Sequence, residues 1–521
     1  MMIGLVVLGV LLLAAALRLL NPLPALEPRP ASAALTDTAD TELGRAIAPR
    51  AARHPGMTGI YPLDDAREAF AARLLLVGRA ERSLDVQYYI WHRDVSGTLL
   101  LDALRKAADR GVRVRLLLDD NGIAGLDGIL SAFDRHPNFE VRLFNPFVIR
   151  RPKAIGYLLD FRRLNRRMHN KSFIADNQAM IVGGRNVGDE YFGASQDALF
   201  ADLDVFGIGA AVAELSADFD RYWASASAFA AHRILPPPPP GRLDTLNREA
   251  EAVQAAPLAR RYAEAVSTSI VTKLVAGRLP LEWAAVTVMS DDPAKALGTV
   301  KDAALLGPRL AVVIGQPKSH LGLVSAYFVP TADGTRAFAA MAANHADLQV
   351  MTNSLRANDV TMVHAGYAPS RKPLLAAGVR LWEMKGEQPD RKARLKFGKR
   401  RTGVKGGTIL RSSGSALHAK TFTVDRQRLF VGSFNFDPRS LRLNTEMGLI
   451  IDSPVLAGRL QDMFSDGVAD IAYEVRLAGR RLQWIERVDG VEIVHRHEPG
   501  TGPLQRAIMA LLSHLPVKWL L

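Results

Sequence analysis

Three observations predict an α/β fold in which one half is used twice. A strand, a helix and a second strand follow one another early in the folded part, five prolines interrupt the chain at Pro236–Pro240, and the same order of elements returns after them. Strand, helix, strand is a right-handed crossover and implies a mainly parallel sheet. The length of 521 residues fits, being roughly three times the ~150 of one domain. With 48% apolar and 23% charged residues the composition is globular, which excludes a disordered chain. Lys plus Arg number 66 against 53 Asp plus Glu, a net charge of +13, so nucleic acid, phosphorylated small molecules and acidic lipid surfaces all remain open as partners. The absence of cysteine excludes disulfides, a thiolate nucleophile and zinc sites built on Cys.

The elements follow in order. Ile3 to Leu20 is apolar apart from Arg18, so residues 1–20 read as membrane-directed. No Lys or Arg precedes this run and Arg18 can snorkel at its far end, which favours a retained anchor; the small residues Ala31-Ser32-Ala33-Ala34 keep a cleaved signal open. The basic residues lie C-terminal to the run, which favours a cytoplasmic body. Residues 21–57, rich in Pro, Ala and Thr, read as a tether. The first half, 58–235, contains the alternating strand Leu84 to Ile90, a helix through Leu100, Leu104 and Ala108 that ends at Gly111, and a strand Val112 to Leu118 running into the turn cluster Asp119-Asp120-Asn121-Gly122. Residues 236–242 are a stiff linker. In the second half, 243–521, Tyr327 to Pro330 takes the place of Tyr88 to Trp91, a helix covers Thr335 to Ala343, and Leu348 to Met351 runs into Thr352-Asn353-Ser354.

The repeat is in strict register at one place. His169 to Asn186 reads HNKSFIADNQAMIVGGRN and His418 to Asn435 reads HAKTFTVDRQRLFVGSFN. Counted from each His, Lys stands at +2 (Lys171, Lys420), Asp at +7 (Asp176, Asp425), Gly at +14 (Gly183, Gly432) and Asn at +17 (Asn186, Asn435). Residues two apart on a strand share a face, and the Asp-led turn returns the chain as a hairpin, so imidazole, ammonium and carboxamide converge once per half. These types suit phosphoryl transfer. One neutral imidazole attacks phosphorus, the other protonates the leaving alkoxide, and Lys, Asn and the Ser433 hydroxyl neutralise the phosphate oxygens, with no metal ion or other cofactor required. A lone His-x-Lys is more often a surface pair; two copies in one register reverse that expectation. His320, His364 and the His495, His497 pair have no such partners and read as structural or surface residues.

The paired HxKxxxxD motifs, with GGRN and GSFN behind them, resemble those of the phospholipase D superfamily over residues 58–521. LDVQYYIW (84–91), LLLDDNG (116–122), RRMHNKSFIADNQ (166–178) and NTEMGLIID (444–452) are similar to the bacterial cardiolipin synthases, the C type in particular. The resemblance implies a duplicated phospholipase D-like fold, two mixed β-sheets flanked by helices and related by a pseudo-two-fold axis, with one active site at the junction. It implies metal-independent phosphatidyl transfer that yields cardiolipin from phosphatidylglycerol and a second phospholipid. His169 then stands as nucleophile and His418 as general acid and base. Lys171, Lys420, Asn186, Asn435 and Ser433 contact phosphate, Asp176 and Asp425 tie the hairpin turn, and Asp202 and Glu446 orient the imidazoles, with Asp204 competing for the role of Asp202. Gly184-Arg185 in the first copy faces Ser433-Phe434 in the second, so the halves are not equivalent.

The charge is local. Arg150, Arg151, Lys153, Arg162, Arg163, Arg166 and Arg167 precede the first motif, and eight basic residues between Arg391 and Lys405 precede the second. Each run alone reads as a solvated loop; the two together, each just before a motif, read as a rim for anionic phospholipid and a membrane surface, with Ile149, Ile155, Leu158, Leu159 and Phe161 of the first run able to enter the acyl region. The expected location is the bacterial inner membrane, peripheral or single-pass. The apolar end Pro503 to Leu521 either docks on the body or lies in the interface. The competing activities are hydrolysis to phosphatidic acid and, because a basic rim also suits DNA, a nuclease; a tethered binding protein with a dead site is disfavoured by two intact motifs.

Overall fold

The alternation read around Leu84 forms a strand because both of its faces are buried, and the same holds for most strands of the protein. The structure is a computed structural model that describes residues 12, 15–26, 32–193, 202–344, 346–358, 360–386 and 417–514. Its first eight strands are β1 (Thr58–Leu63), β2 (Ser83–Ile90), β3 (Arg113–Gly122), β4 (Phe139–Phe144), β5 (Ser172–Ala175), β6 (Ala179–Gly183), β7 (Asp204–Gly209) and β8 (Ala228–Ala230). They pair in the order β8-β4-β3-β2-β5-β6-β7-β1, with β2, β3 and β4 parallel and the other contacts antiparallel.

The second set repeats this order. It comprises β9 (Glu282–Ser290), β10 (His320–Ser325), β11 (Asp347–Asn353), β12 (Arg380–Met384), β13 (Lys420–Val424), β14 (Arg428–Gly432), β15 (Met447–Asp452) and β16 (Ala472–Ala478), extended by β17 (Arg481–Val488) and β18 (Val491–His495). Pairing runs β18-β17-β16-β12-β11-β10-β13-β14-β15-β9. The equivalent strands β1 and β9 also pair antiparallel, Gly59 opposite Trp283, as a two-fold relation between the halves requires.

Each sheet is apolar on both faces. On β6, Ile181 faces a core whose buried residues all come from the first half, while Met180 and Val182 face a core that also holds Leu429, Val431, Met447 and Leu449 of the second half. On β14, Phe430 points the other way, into a third core. The two inner faces therefore share one apolar layer, and the ends of β5 and β13 that carry the His-x-Lys pairs meet beside it.

Several expectations need correction. The chain packs onto the first half well before residue 58: Ser32 accepts a hydrogen bond from Arg115 at 2.9 Å, Thr38 is buried, and Leu43 and Ile47 of the helix Glu42–Ala51 enter the core. Thr41 caps that helix by accepting from the Gly44 amide at 3.0 Å, so the polar composition reflects capping rather than a tether. The proline run does not divide the halves. The helices Arg242–Gln254, Pro257–Thr268 and Ile270–Val275 bury Leu246, Tyr262, Ile270 and Leu274 in the first-half core, so the second half begins at β9. Asp119 to Gly122 remain in strand β3, because their carboxylates bind arginines instead of making a turn. Tyr327 matches Ile90, not Tyr88, a shift of two residues that appears when the Asn186 and Asn435 contacts are superposed.

Among the described residues no helix is long and apolar enough to cross a membrane, and most of residues 1–20, expected to be membrane-directed, lie outside them. The helix Pro503–Ser513 docks on the body through Met509 and Leu512 beside Leu355 and Ala365; residues 515–521 lie outside the described part.

Candidate active site

The site follows from how each His enters its strand. Met168 bridges to Thr445 in parallel, His169 donates its amide to the Thr445 carbonyl at 2.9 Å, and Thr445 returns a bond to the Arg167 carbonyl at 2.9 Å. This lays His169 of the first half beside Glu446 of the second. Its Nδ1 stands 2.8 Å from Glu446 Oε2, and His418 Nδ1 stands 2.6 Å from Asp202 Oδ2. Glu446 and Asp202, the two carboxylates expected to orient the imidazoles, each lie against the imidazole of the other half. Asp204 instead forms a buried ion pair with Arg73 at 2.7 Å.

With Nδ1 engaged on both rings, Nε2 is the nitrogen left for chemistry. Tyr89 packs edge-on against His169 with centroids 5.0 Å apart, and Tyr191 does the same to His418 at 5.2 Å. Lys171 folds back to donate to the His169 carbonyl at 2.5 Å, and Lys420 donates likewise to the His418 carbonyl. The Asn186 carboxamide oxygen accepts from the Ile90 amide at 3.2 Å, and Asn435 accepts from Tyr327 at 3.3 Å. That contact fixes each side chain by its oxygen and leaves its NH₂ for an anion.

Ser433 is placed differently from the expectation of a phosphate donor. It is buried and donates its hydroxyl to Glu446 Oε2, while Ser440 donates to Oε1 at 2.8 Å. The first half has no room for such a hydroxyl: a Cβ on Gly184 would stand 2.1 Å from Asp202 Oδ1. Asp176 and Asp425 lie at the far end of the hairpins, about 20 Å along the strand from each His by rise per residue. The Asp176 carboxylate accepts from the amides of Glu81, Arg82 and Ser83, and Asp425 from those of Lys318, Ser319 and His320. They clamp the entry of β2 and β10 and do not face the imidazoles.

The electrostatics divide the two pairs. Burial, then Lys171 and Lys420, holds the His169 imidazole well below its ordinary value; burial and Lys420 lower His418 less, because Asp202 opposes them. Burial raises Glu446 to about 7 against the pull of Lys171 and the two serine hydroxyls. Burial also works against ionisation of Asp202, yet His418, Lys420 and Arg185 outweigh it and hold that carboxyl below its usual range. Lys171 is lowered to about 7, by burial first.

Asp119 and Asn353, which the sequence places at matching strand ends as turn residues or as part of a substrate mouth, hold backbone beside the two histidines instead. Asp119 accepts from the Met168 amide at 2.8 Å, and Asn353, at the matching strand end, accepts from the Leu417 amide at 2.9 Å; each steadies the residue before a site His. The signal available was their place at the carboxyl ends of parallel strands. His364 is buried against Glu498 and Arg371, and His495 pairs with Glu486. Sequence spacing also gave no hint that His92, Asp94 and Glu190 gather with ligand atoms within 4.8 Å of one another. Asp94 is committed there, capping the helix Val95–Asp109 through the Gly97 amide at 3.0 Å.

The basic run before the first motif is mostly neutralised within the protein. Arg150 binds Asp120 and Asp127, Lys153 binds Asp120, Arg163 binds Asp160 and Arg167 binds Asp119. The second run, Arg391 to Lys405, lies outside the described residues.

Two imidazoles, each backed by a carboxylate and flanked by Lys and Asn on a duplicated mixed α/β fold, define a phospholipase D-like centre. The family described as "Cardiolipin synthase, PLD-like domain" matches residues 75–223 and 310–467, and the chain belongs to it. It is 46% identical to cardiolipin synthase C of Escherichia coli over 92% of this chain and 99% of that protein. A cardiolipin synthase of Listeria monocytogenes is 24% identical over 82% of this chain and 72% of its own length. The crystal structure of phosphatidylserine synthase from Haemophilus influenzae superposes with a TM-score of 0.56 at 14% identity, over 92% of this chain and all of that one, a likeness of fold.

Proposed function

We propose that this chain is a membrane-associated phosphatidyltransferase that forms cardiolipin from phosphatidylglycerol and a second phospholipid through a phosphohistidine. The observation that carries the reading is the 46% identity to cardiolipin synthase C across nearly the whole of both chains. The crossed His–carboxylate pairs support its mechanism. His169, kept neutral by burial, attacks the donor phosphorus through Nε2. The bond to the leaving alcohol breaks and His418, held against ionised Asp202, gives that oxygen a proton. His418 then takes a proton from the hydroxyl of an acceptor phosphatidylglycerol, whose oxygen attacks phosphorus and releases His169. Lys171, Lys420, Asn186 and Asn435 neutralise the phosphate oxygens, where charge concentrates in the transition state. The side chain of His418 is the more exposed, 25% against 10% for His169, which suits the group that meets both alcohols.

The test is incubation of the purified chain with labelled phosphatidylglycerol, alone and with phosphatidylethanolamine, in mixed micelles containing chelator. Cardiolipin is the expected product. Phosphatidic acid alone would make the chain a hydrolase, and cleavage of naked DNA without lipid turnover would make it a nuclease.

A further inference from the structure

A cavity of about 410 Å³ lies outside the catalytic centre on the seam between the halves. The first half contributes Phe161, Arg162 and Arg166 to its wall, and the second contributes Asp302, Leu305 and Arg442. Its charge is unbalanced. Unlike Arg150, Arg163 and Arg167, which are ion-paired, Arg162 and Arg166 have no carboxylate partner among the described residues. Arg166 is fixed by donating to the carbonyls of Lys295 at 3.0 Å and Arg442 at 3.1 Å, and burial together with Arg162 lowers its affinity for its proton. The one carboxylate in the wall, Asp302, pairs with Arg442 at 3.1 Å with both side chains well exposed, a contact of little worth that an incoming anion can replace.

The rim is apolar. In the helix Lys153–Leu159, Leu158 is 83% exposed, and Phe161 beside it is 45% exposed. The N-terminal apolar segment reaches the body at this place: Arg18 donates to the Leu159 carbonyl at 3.5 Å and lies 3.8 Å from Asp160, with Leu19 and Leu20 exposed. Guanidinium groups without a carboxylate partner lining a recess, with the exposed apolar side chains of Phe161, Leu158, Leu19 and Leu20 near it, are complementary to a phospholipid lying in a bilayer, phosphate inward and chains outward.

We propose that this cavity binds the phosphodiester headgroup of an anionic phospholipid in the membrane surface, separately from the catalytic centre, and that Leu158 and Phe161 enter the acyl region, making this the face on which the protein docks. Arg166 is three residues from His169 and Arg442 four from Glu446, so docking here brings the membrane against the catalytic segments of both halves. The proposal rests on the phosphatidyltransferase reading for its kinetic test only.

The test uses the full chain and two variants of exposed residues, the double charge reversal Arg162→Glu/Arg442→Glu and the single change Leu158→Glu. Rates are measured on short-chain phosphatidylglycerol dissolved below its micellar threshold and on long-chain phosphatidylglycerol in mixed micelles. The expected result is a fall of about tenfold in the micellar-to-dissolved rate ratio for either variant. An unchanged ratio, or equal losses in both assays, would overturn the proposal. Sedimentation with phosphatidylglycerol and with phosphatidylcholine vesicles reads the site without catalysis. The double variant should lose binding to the former and keep what binding there is to the latter; equal loss from both would overturn the headgroup assignment. A wild-type chain that turns over neither lipid would refute the transferase reading while the vesicle arm still decides the site.

Discussion

His169 in the first half is held by Glu446 in the second, Nδ1 to Oε2 at 2.8 Å, and His418 is held in return by Asp202 at 2.6 Å. Neither half holds its own imidazole, so the reactive geometry exists only when both are folded together. Glu446→Gln keeps the shape of the side chain and removes its charge, which alters the tautomer and the stabilisation of an imidazolium. The turnover rate is expected to fall by about 10²- to 10⁴-fold, with Asp202→Asn in the same range. The two should differ in a rapid-quench measurement. With Glu446→Gln the covalent phosphoenzyme forms slowly; with Asp202→Asn it forms from a donor with a good leaving group and then persists. Reversal of that order would exchange the roles of the two histidines.

The acid limb of the pH profile should belong to Glu446, raised to about 7 by burial, and the alkaline limb to loss of the His418 proton together with that of Lys171, lowered to about 7 by burial. Below that pH Glu446 gains a proton and no longer accepts from His169; above it Lys171 loses the charge that neutralises phosphate. A bell centred near neutrality is expected in kcat/KM. A bound phosphodiester favours the ammonium, so the alkaline limb should stand higher in kcat than in kcat/KM. Ser433→Ala removes a hydrogen bond that favours ionised Glu446 and should move the acid limb upward by about half a unit to one unit. An acid limb that stays in place would assign it to another group.

The paired register was legible because it is local: His, Lys, Asp, Gly and Asn at fixed offsets are written twice, and period-two alternation located β2 to within a residue. Long-range pairing was not legible. Nothing in the spacing says that Thr445 would lie along Met168, and that contact crosses the carboxylates between halves. The partial neutralisation of the basic run was hidden for the same reason: apart from Asp160, beside Arg163, the carboxylates that bind its members are Asp119, Asp120 and Asp127, remote in sequence from them. The proline run marked a real break in secondary structure, yet Tyr262 and Leu274 beyond it return to the first-half core, where their apolar surface is covered.

Asn353 should behave as a positioning residue. Its carboxamide accepts from the Leu417 amide and donates to the carbonyls of Leu417 and Ala326 at 2.9 and 3.1 Å, so Asn353→Ala frees the chain just before His418 and leaves three buried backbone groups unpaired. A stability loss of about 1–3 kcal/mol is expected in denaturant melts. Turnover should drop more than tenfold in protein that is still folded, since small misplacement of a reacting group is costly, and Asn353→Asp, which keeps the acceptor, should recover part of it. A purely structural residue would lower stability and leave the turnover of folded protein intact.

The motif aspartates should act on stability rather than on chemistry. Asp176 is fully buried and accepts from three consecutive amides, and it lies with Asn177 at positive φ in the turn between β5 and β6. Asp176→Asn keeps the side chain that this backbone tolerates and removes the charge, for an expected loss of about 1–3 kcal/mol in chemical denaturation. Asp425→Asn should cost less, because that carboxylate is only half-buried. For Asp425, burial works against ionisation, but the amides of Lys318, Ser319 and His320 outweigh it and keep the carboxyl below its usual value. A depressed folded value means that the stabilisation is present above the unfolded value of about 4 and disappears as pH falls through the folded one. The stability gap between wild type and Asp425→Asn should therefore be constant near neutrality and close in acid. In both variants the folded fraction should turn over substrate at close to the wild-type rate. A loss of the size expected for Glu446→Gln would instead place these carboxylates in the reaction.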